Sequence, residues 1–344
     1  MQKASHSPKK ISDIPFSVLD LAPILAGTTA ADTFPNSLKL AQKAEELGYT
    51  RFWLAEPHNM TGIASSATSV LIGYIAGGTK KIRVGSGGIM LPNHAPLVVA
   101  EQFGTLASLY PNRIDLGLGR APGTDQLTAM ALRRHMQASV EEFPQNIQEI
   151  QYYFGPADSE AKVRAVPGEG LEVPIWILGS SLYGAQLAAA LGLPYAFASH
   201  FAPSSLINAL EIYNDTFKPS EQQPKPYAMA CINVIAADTD AEAQKLATSL
   251  YTSFLGVIRG TARHLQPPVD DMEKHWNMAE KFQVKQMLKY TFIGSAKTIE
   301  KQLQDFIDET LVDEIMVSAH IYDPEARRRS YEIINELGFK KRED

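Results

Sequence analysis

Eight short runs of β-branched and apolar residues recur along this 344-residue chain, and amphipathic helical stretches alternate with them almost from end to end. The runs are FSVLDL (16–21), RFWLAE (51–56), IRVGSGGIML (82–91), RIDLGLG (113–119), PIWILGS (174–180), YAFASH (195–200), YAMACINVIAA (227–237) and DEIMVSA (313–319). Helical patterns occupy 37–48, 65–78, 96–110, 139–154, 181–192, 204–217, 240–258, 296–310 and 324–337. Strands alternating with helices pair in parallel through right-handed crossovers. Eight such units in a chain of this length predict an α/β fold of the (β/α)8 TIM-barrel type, forming one domain over 1–344. A doubly wound sheet is the alternative, because periodicity does not show whether the sheet closes. Two stretches, about 155–173 and 259–292, exceed ordinary loop length and read as insertions. The second contains Trp276, Met278 and Phe282 and is expected to pack on the barrel as a lid.

Composition narrows the function classes. A net charge of −6 disfavours a nucleic-acid partner, which needs a basic face. No apolar run is long enough for a transmembrane helix, and the polar start MQKASHSPKK lacks the apolar core of a secretory signal. The single cysteine, Cys231, cannot form an internal disulfide, so the reducing cytoplasm is the expected location. The basic run Arg327-Arg328-Arg329 falls in a helical pattern and reads as a solvated face.

In a barrel, chemistry gathers where strands end and the following loops begin. Polar residues and glycines are plentiful at those ends here, whereas the opposite ends read as plain turns (GYTRF, TKKIRV, YPNRI). In LGSSLYGA (178–185) a strand runs through Gly179-Ser180-Ser181 directly into a helix. The free N–H groups of a helix start favour a phosphate; the alternative is that Ser180 or Ser181 merely caps its own helix. In RIDLGLGRAPGTD (113–125) the glycines Gly117, Gly119 and Gly123 have the wrong spacing for a dinucleotide fingerprint. Pro122 stands where the third glycine should be, and no helix is expected to open there. Arg120 remains as a permanent cation at a strand end, suited to bidentate phosphate binding or to pairing with Asp125.

WLAEPHNM (53–60) places Glu56, His58 and Asn59 at the end of the second strand, with His58 either a proton-transfer group or a structural hydrogen-bonder. His94 and His200 also fall at strand ends, while His135, His264 and His275 do not. Neither a metal-ligand spacing nor a G-x-S-x-G elbow occurs, so metal: none is the expectation and Ser-His-Asp hydrolysis is poorly supported. VGSGGIMLPNHAP (84–96) gives up side chains at Gly85, Gly87 and Gly88 inside a strand pattern, which asks for a bulge or the close approach of another group.

Together, in order and spacing, these segments resemble the bacterial luciferase-like family of flavin-dependent oxidoreductases. The resemblance runs from FSVLDLAPI through GYTRFWLAEPHN and the 82–125 stretch to VPIWILGSSLYGAQLAAALGLPYAFASHF. It implies a barrel that binds FMN, or alternatively a deazaflavin coenzyme, at the C-terminal face. Arg120 and the Gly179-Ser180-Ser181 turn match the positions that hold the flavin phosphate. Gly87-Gly88 matches the small pair where the family commonly has a non-prolyl cis peptide under the ring system, with absent Cβ atoms leaving the ring unobstructed. The family's E-H-H stretch matches Glu56-Pro57-His58; Pro57 replaces the first histidine, so luciferase-type light emission does not carry over. The resemblance implies a monooxygenase that uses reduced FMN and O2 on a small organic substrate, with flavin supplied by a separate NAD(P)H:flavin reductase. Alternatives on the same barrel are a flavin or deazaflavin hydride transferase and a non-catalytic flavin-binding barrel. A homodimer is expected through the apolar helices at 65–78 and 96–110.

Overall fold

The computed structural model describes residues 7–121, 125–132 and 140–343. Pro122, Gly123 and His135 lie outside the described residues. The strands β1 (Phe16–Asp20), β2 (Arg51–Leu54), β3 (Arg83–Met90), β4 (Ile114–Gly119), β5 (Ile175–Gly179), β6 (Tyr195–Phe197), β7 (Ala228–Ala236), β8 (Thr291–Gly294) and β9 (Glu314–Ser318) are all parallel to their neighbours. β1 through β6 pair in chain order, β6 pairs with β7 (Phe197 against Ala230), β7 with β9 (Cys231 against Met316), and β9 with β1 (Ile315 against Phe16). The sheet therefore closes into an eight-stranded barrel, and the doubly wound alternative falls. Each of the eight runs read from the sequence contributes one barrel strand.

Described helices on the outside are α1 (Ala30–Glu46), α2 (Thr68–Gly77), α3 (Pro96–Leu109), α4 (Gln126–Leu132), α5 (Phe143–Phe154), α6 (Leu182–Leu191), α7 (Leu206–Thr216), α8 (Asp240–Ile258), α9 (Met278–Met287), α10 (Ala296–Thr310) and α11 (Pro324–Glu336). Three elements lie outside the sequence reading. β8 pads the far half of β7, Val234 against Phe292, outside the ring. α9 sits within the 259–292 insertion, with Asn277 and Glu280 closing a reciprocal cap. α4 does open after Arg120, contrary to expectation, because the Asp125 carboxylate accepts the Thr128 N–H at 3.0 Å. Of the three large side chains expected to pin the insertion, only Trp276 is buried; Met278 and Phe282 face solvent. The 155–173 stretch carries no helix or strand.

Two apolar layers form the core. One lies between the sheet and the helices; the other fills the lumen with Leu19, Trp53, Trp176, Ala196, Met229, Cys231 and Met316. Alternation along each strand assigns residues to one layer or the other. Burial pushes the Cys231 thiol up, so it is an inert packing group.

The N-terminal end of the lumen is plugged by charge. Arg51 donates to Glu314 from Nε (2.7 Å) and Nη2 (3.1 Å) and to Asp115 from Nη1 (2.7 Å). Arg83 adds two bonds to Asp115, at 2.9 and 2.6 Å. Ser17, Trp53 and Tyr227 donate to the remaining carboxylate positions. The Arg51 guanidinium lies 4.8 Å from the Trp176 ring centroid. Burial alone would raise the Asp115 pKa, but Arg51 and Arg83 outweigh it and hold the carboxyl below the usual range.

Candidate active site

At the C-terminal end of β2 the chain turns through Glu56-Pro57-His58, and Glu56 is buried. His58 Nε2 and His94 Nε2 both donate to Glu56 Oε1, at 2.5 and 2.6 Å, and the Met90 N–H donates to Glu56 Oε2 at 2.8 Å. One carboxylate thus orients two imidazoles and the end of β3. With the proton on Nε2 in both rings, Nδ1 is the basic nitrogen of each. The ligating atoms lie within 4.8 Å of one another, close enough for a divalent ion. No spacing rule foresaw this cluster, because His94 joins it from the segment after β3. Three hydrogen bonds to Glu56 hold the arrangement together.

Beside this cluster the Gly87–Gly88 peptide is cis, and the register with β4 shifts between Ser86 and Ile89. Ser86 fastens the strands here, its hydroxyl donating to Gly117 O at 2.8 Å and accepting from Gly117 N at 3.0 Å. The reason for the glycines differs from the sequence expectation. A Cβ at Gly88 would stand 2.8 Å from Gly117 O, and one at Gly87 3.0 Å from Leu19 Cδ1. The missing side chains make room for neighbouring barrel strands, not only for a ring above them.

Arg120, at the end of β4, is exposed and makes no ion pair among the described residues. Its guanidinium lies 4.1 Å from the ring centroid of Tyr183, in the first turn of α6. The alternative pairing with Asp125 is not the one formed: that carboxylate takes hydrogen bonds from Asn59 and Thr128. Gly179, Ser180 and Ser181 lead into the same helix, and Ser181 occupies the N-cap position without a side-chain cap bond. Ser181 therefore does not cap the helix through its side chain, and the Tyr183 contact brings the Arg120 guanidinium to the first turn of α6. Tyr183, which links the two features, was not read from the sequence; the only signal was its place in the first turn.

Across the mouth, His200 follows β6 and His320 follows β9. His200 was among the strand-end histidines, whereas His320 went unread although it follows the eighth run directly. Burial, reinforced by His320, pushes His200 down to about 3; burial, with Arg327 adding to it and Asp20 opposing, pushes His320 down to about 4. Both are neutral imidazoles near pH 7, and the Nδ1 atom of each is buried without a hydrogen-bond partner among the described residues. Asp20 Oδ2 and Asn233 Oδ1, at the ends of β1 and within β7, are in the same state. The α8 end and the following segment close over this side: Leu265 pairs with Leu25, and Phe254 packs its ring against His320.

A closed parallel barrel with a cation, a helix start lacking a side-chain cap and an acid–imidazole cluster at its C-terminal mouth has its polar groups gathered at the end where barrel enzymes carry their chemistry. The chain matches the family model for luciferase-like monooxygenases over residues 14–314, and it belongs to that family. It is accordingly an oxidoreductase that works with a flavin-type cofactor. A luciferase-like monooxygenase of Escherichia coli K12 is 54% identical over 320 residues, covering 93% of this chain and 96% of that protein. N-acetyl-S-alkylcysteine monooxygenase of Bacillus subtilis is 40% identical over 238 residues, covering 67% of this chain and 70% of that one. The crystal structure of apo-MsnO8 superposes with a TM-score of 0.85 at 33% identity, covering 96% of this chain and all of that one (100%). The FMN complex of the oxygenating constituent of 3,6-diketocamphane monooxygenase from Pseudomonas putida shares the fold, with a TM-score of 0.71 at 18% identity over 94% of this chain and 97% of that one.

Proposed function

We propose that this protein is an FMN-dependent monooxygenase that uses reduced flavin and O2 to oxygenate a small organic substrate. The observation that carries the reading is the pairing of Arg120, which makes no ion pair among the described residues, with the side-chain-uncapped N-terminus of α6. That combination fits a flavin phosphate: guanidinium supplies a fixed charge, and the helix start supplies N–H donors and a favourable dipole. Reduced FMN bound there would supply the electrons that activate O2. Arg120, Gly179, Ser180 and Ser181 would hold the phosphate, and Gly87-Gly88 would support the ring system. His58, held by Glu56, would move a proton through Nδ1 while His94 shares the same carboxylate. The segment covering β1 and α8 would keep water from the reacting atoms.

The flavin would arrive reduced from a separate NAD(P)H:flavin reductase, in keeping with a chain that carries no dinucleotide fingerprint. A homodimer would form through α2 and α3, which contact each other and leave Val70, Tyr74, Val98 and Leu109 exposed. Anaerobic mixing of the protein loaded with reduced FMN against O2 in a stopped-flow spectrometer tests the chemistry. An oxygen-dependent absorbance transient that precedes the return of oxidised flavin is the expected result. Direct reoxidation without it sinks the oxygenase reading and favours hydride transfer to or from a flavin or deazaflavin.

A further inference from the structure

A cleft of about 260 Å³ lies between the last turns of α8 and the segment that follows it. Its walls include Ser253, Arg259, Thr261, Arg263, His264 and His275, and no carboxylate lines it. The surroundings place it at the barrel mouth. Leu265, beside His264, forms a bridge with Leu25 after β1. A Cβ on Gly62, after β2, would stand 2.5 Å from the Arg263 carbonyl oxygen. Phe254, between the cleft-lining residues Ser253 and Leu255, packs on His320, just after β9. The cleft thus opens on the side of the mouth formed by β9, β1 and β2, with β3 between that side and Arg120 on β4.

The charges are unequally committed. Arg259 is spent on Glu280 through two bonds of 2.8 Å and on the His275 carbonyl at 2.9 Å, which fixes the wall. Arg263 makes no ion pair and no side-chain hydrogen bond among the described residues. An acidic chain of net charge −6 therefore keeps an uncommitted guanidinium, two imidazoles and the hydroxyls of Thr252, Ser253 and Thr261 around one concave space. Guanidinium fits a carboxylate bidentately, and the Leu255 side of the cleft suits a short carbon skeleton.

We infer that the cleft receives the carboxylate of a small organic acid, with Arg263 as its anchor, and that the substrates of this enzyme carry a carboxylate at the end remote from the oxygenated atom. The substrate assignment rests on the monooxygenase reading; the binding assignment does not. The test uses 19F line broadening of 4-fluorobenzoate and of 4-fluorobenzamide, which share a skeleton and differ in charge, with FMN titrated separately by absorbance. Wild-type protein should bind the acid at least about tenfold more tightly than the amide, the scale of one charge-assisted contact. Arg263→Gln should erase that preference with FMN affinity unchanged, and Arg263→Glu should reverse it in favour of 4-fluorobenzylamine. Equal binding of acid and amide overturns the cleft assignment, as does a preference that survives in both variants. Binding of the acid in a protein that fails to take FMN would retire the flavin reading and leave the cleft standing. FMN binding with no response to the acid would do the reverse.

Discussion

At the N-terminal end of the barrel, Arg51, Arg83, Asp115 and Glu314 are brought together inside the protein, and each carboxylate oxygen of the two acids is taken up by a donor. At the C-terminal end, Asp20 Oδ2, His200 Nδ1, His320 Nδ1 and Asn233 Oδ1 are buried too, and none has a hydrogen-bond partner among the described residues. Buried polar atoms are almost always hydrogen-bonded, because leaving one unmade costs about 1–3 kcal/mol. A closed network at one end is what a lumen needs to exclude water and fix strand register. Open valences at the other end are tolerable where substrate or ordered water completes them. The same side-chain chemistry therefore serves stability below and binding above.

Changing Arg51 should give the largest effect. Arg51→Ala would leave Asp115 and Glu314 facing each other without their shared cation, a loss of about 3–5 kcal/mol in urea unfolding. Burial alone would lower the Arg51 pKa, but Glu314 and Asp115 raise it beyond the ordinary value, so no accessible pH relieves the loss. FMN affinity per folded molecule should not change. A variant that unfolds like wild type would show that the plug is ornamental to stability. Arg120→Ala should behave in the opposite way. Among the described residues its exposed side chain makes only the Tyr183 ring contact, so unfolding should shift by no more than about 0.5–1 kcal/mol. FMN binding should weaken by about 1.5–3 kcal/mol, the value of a charged hydrogen bond. Undiminished FMN affinity in a titration would remove Arg120 from the phosphate site.

The two ends were unequally legible in the sequence. Every barrel strand was readable, because a run buried on both faces leaves a continuous apolar signature bounded by turns. Arg120, His58 and the Gly179-Ser180-Ser181 turn were readable because each follows a strand directly. The Glu56–His58–His94 cluster was only half visible: His94 reaches Glu56 from the next strand, and no pattern in one segment encodes that closure. Arg51, Asp115 and Glu314 stand at strand starts, where charge reads as a solvated turn; only the closed ring turns them inward. β8 escaped because the four residues of TFIG are too few to show a period, and the described part of α4, QLTAMAL, is likewise too short. The glycines at 87 and 88 were found for a reason that was incomplete, since the space each leaves is claimed by Gly117, Leu19 and Leu178.

Acid should separate the two ends by the pH at which each fails. His200 and His320 have folded pKa values near 3 and 4, against about 6.5 in an unfolded chain. Between those limits the unfolded state binds more protons, so stability falls as pH drops below about 6.5, by up to about 1.4 kcal/mol per pH unit for each histidine. Asp115 acts lower. Its folded pKa lies below the ordinary value of about 3.9, so its contribution is intact above that value and disappears only as pH falls further. Urea unfolding at pH 7, 6 and 5 should therefore report the C-terminal end alone. The paired variant His200→Asn, His320→Asn should flatten the slope over that window, whatever it does to stability at pH 7. A slope that persists in the variant would place the acid sensitivity elsewhere and remove the two histidines as the uncharged wall of the mouth.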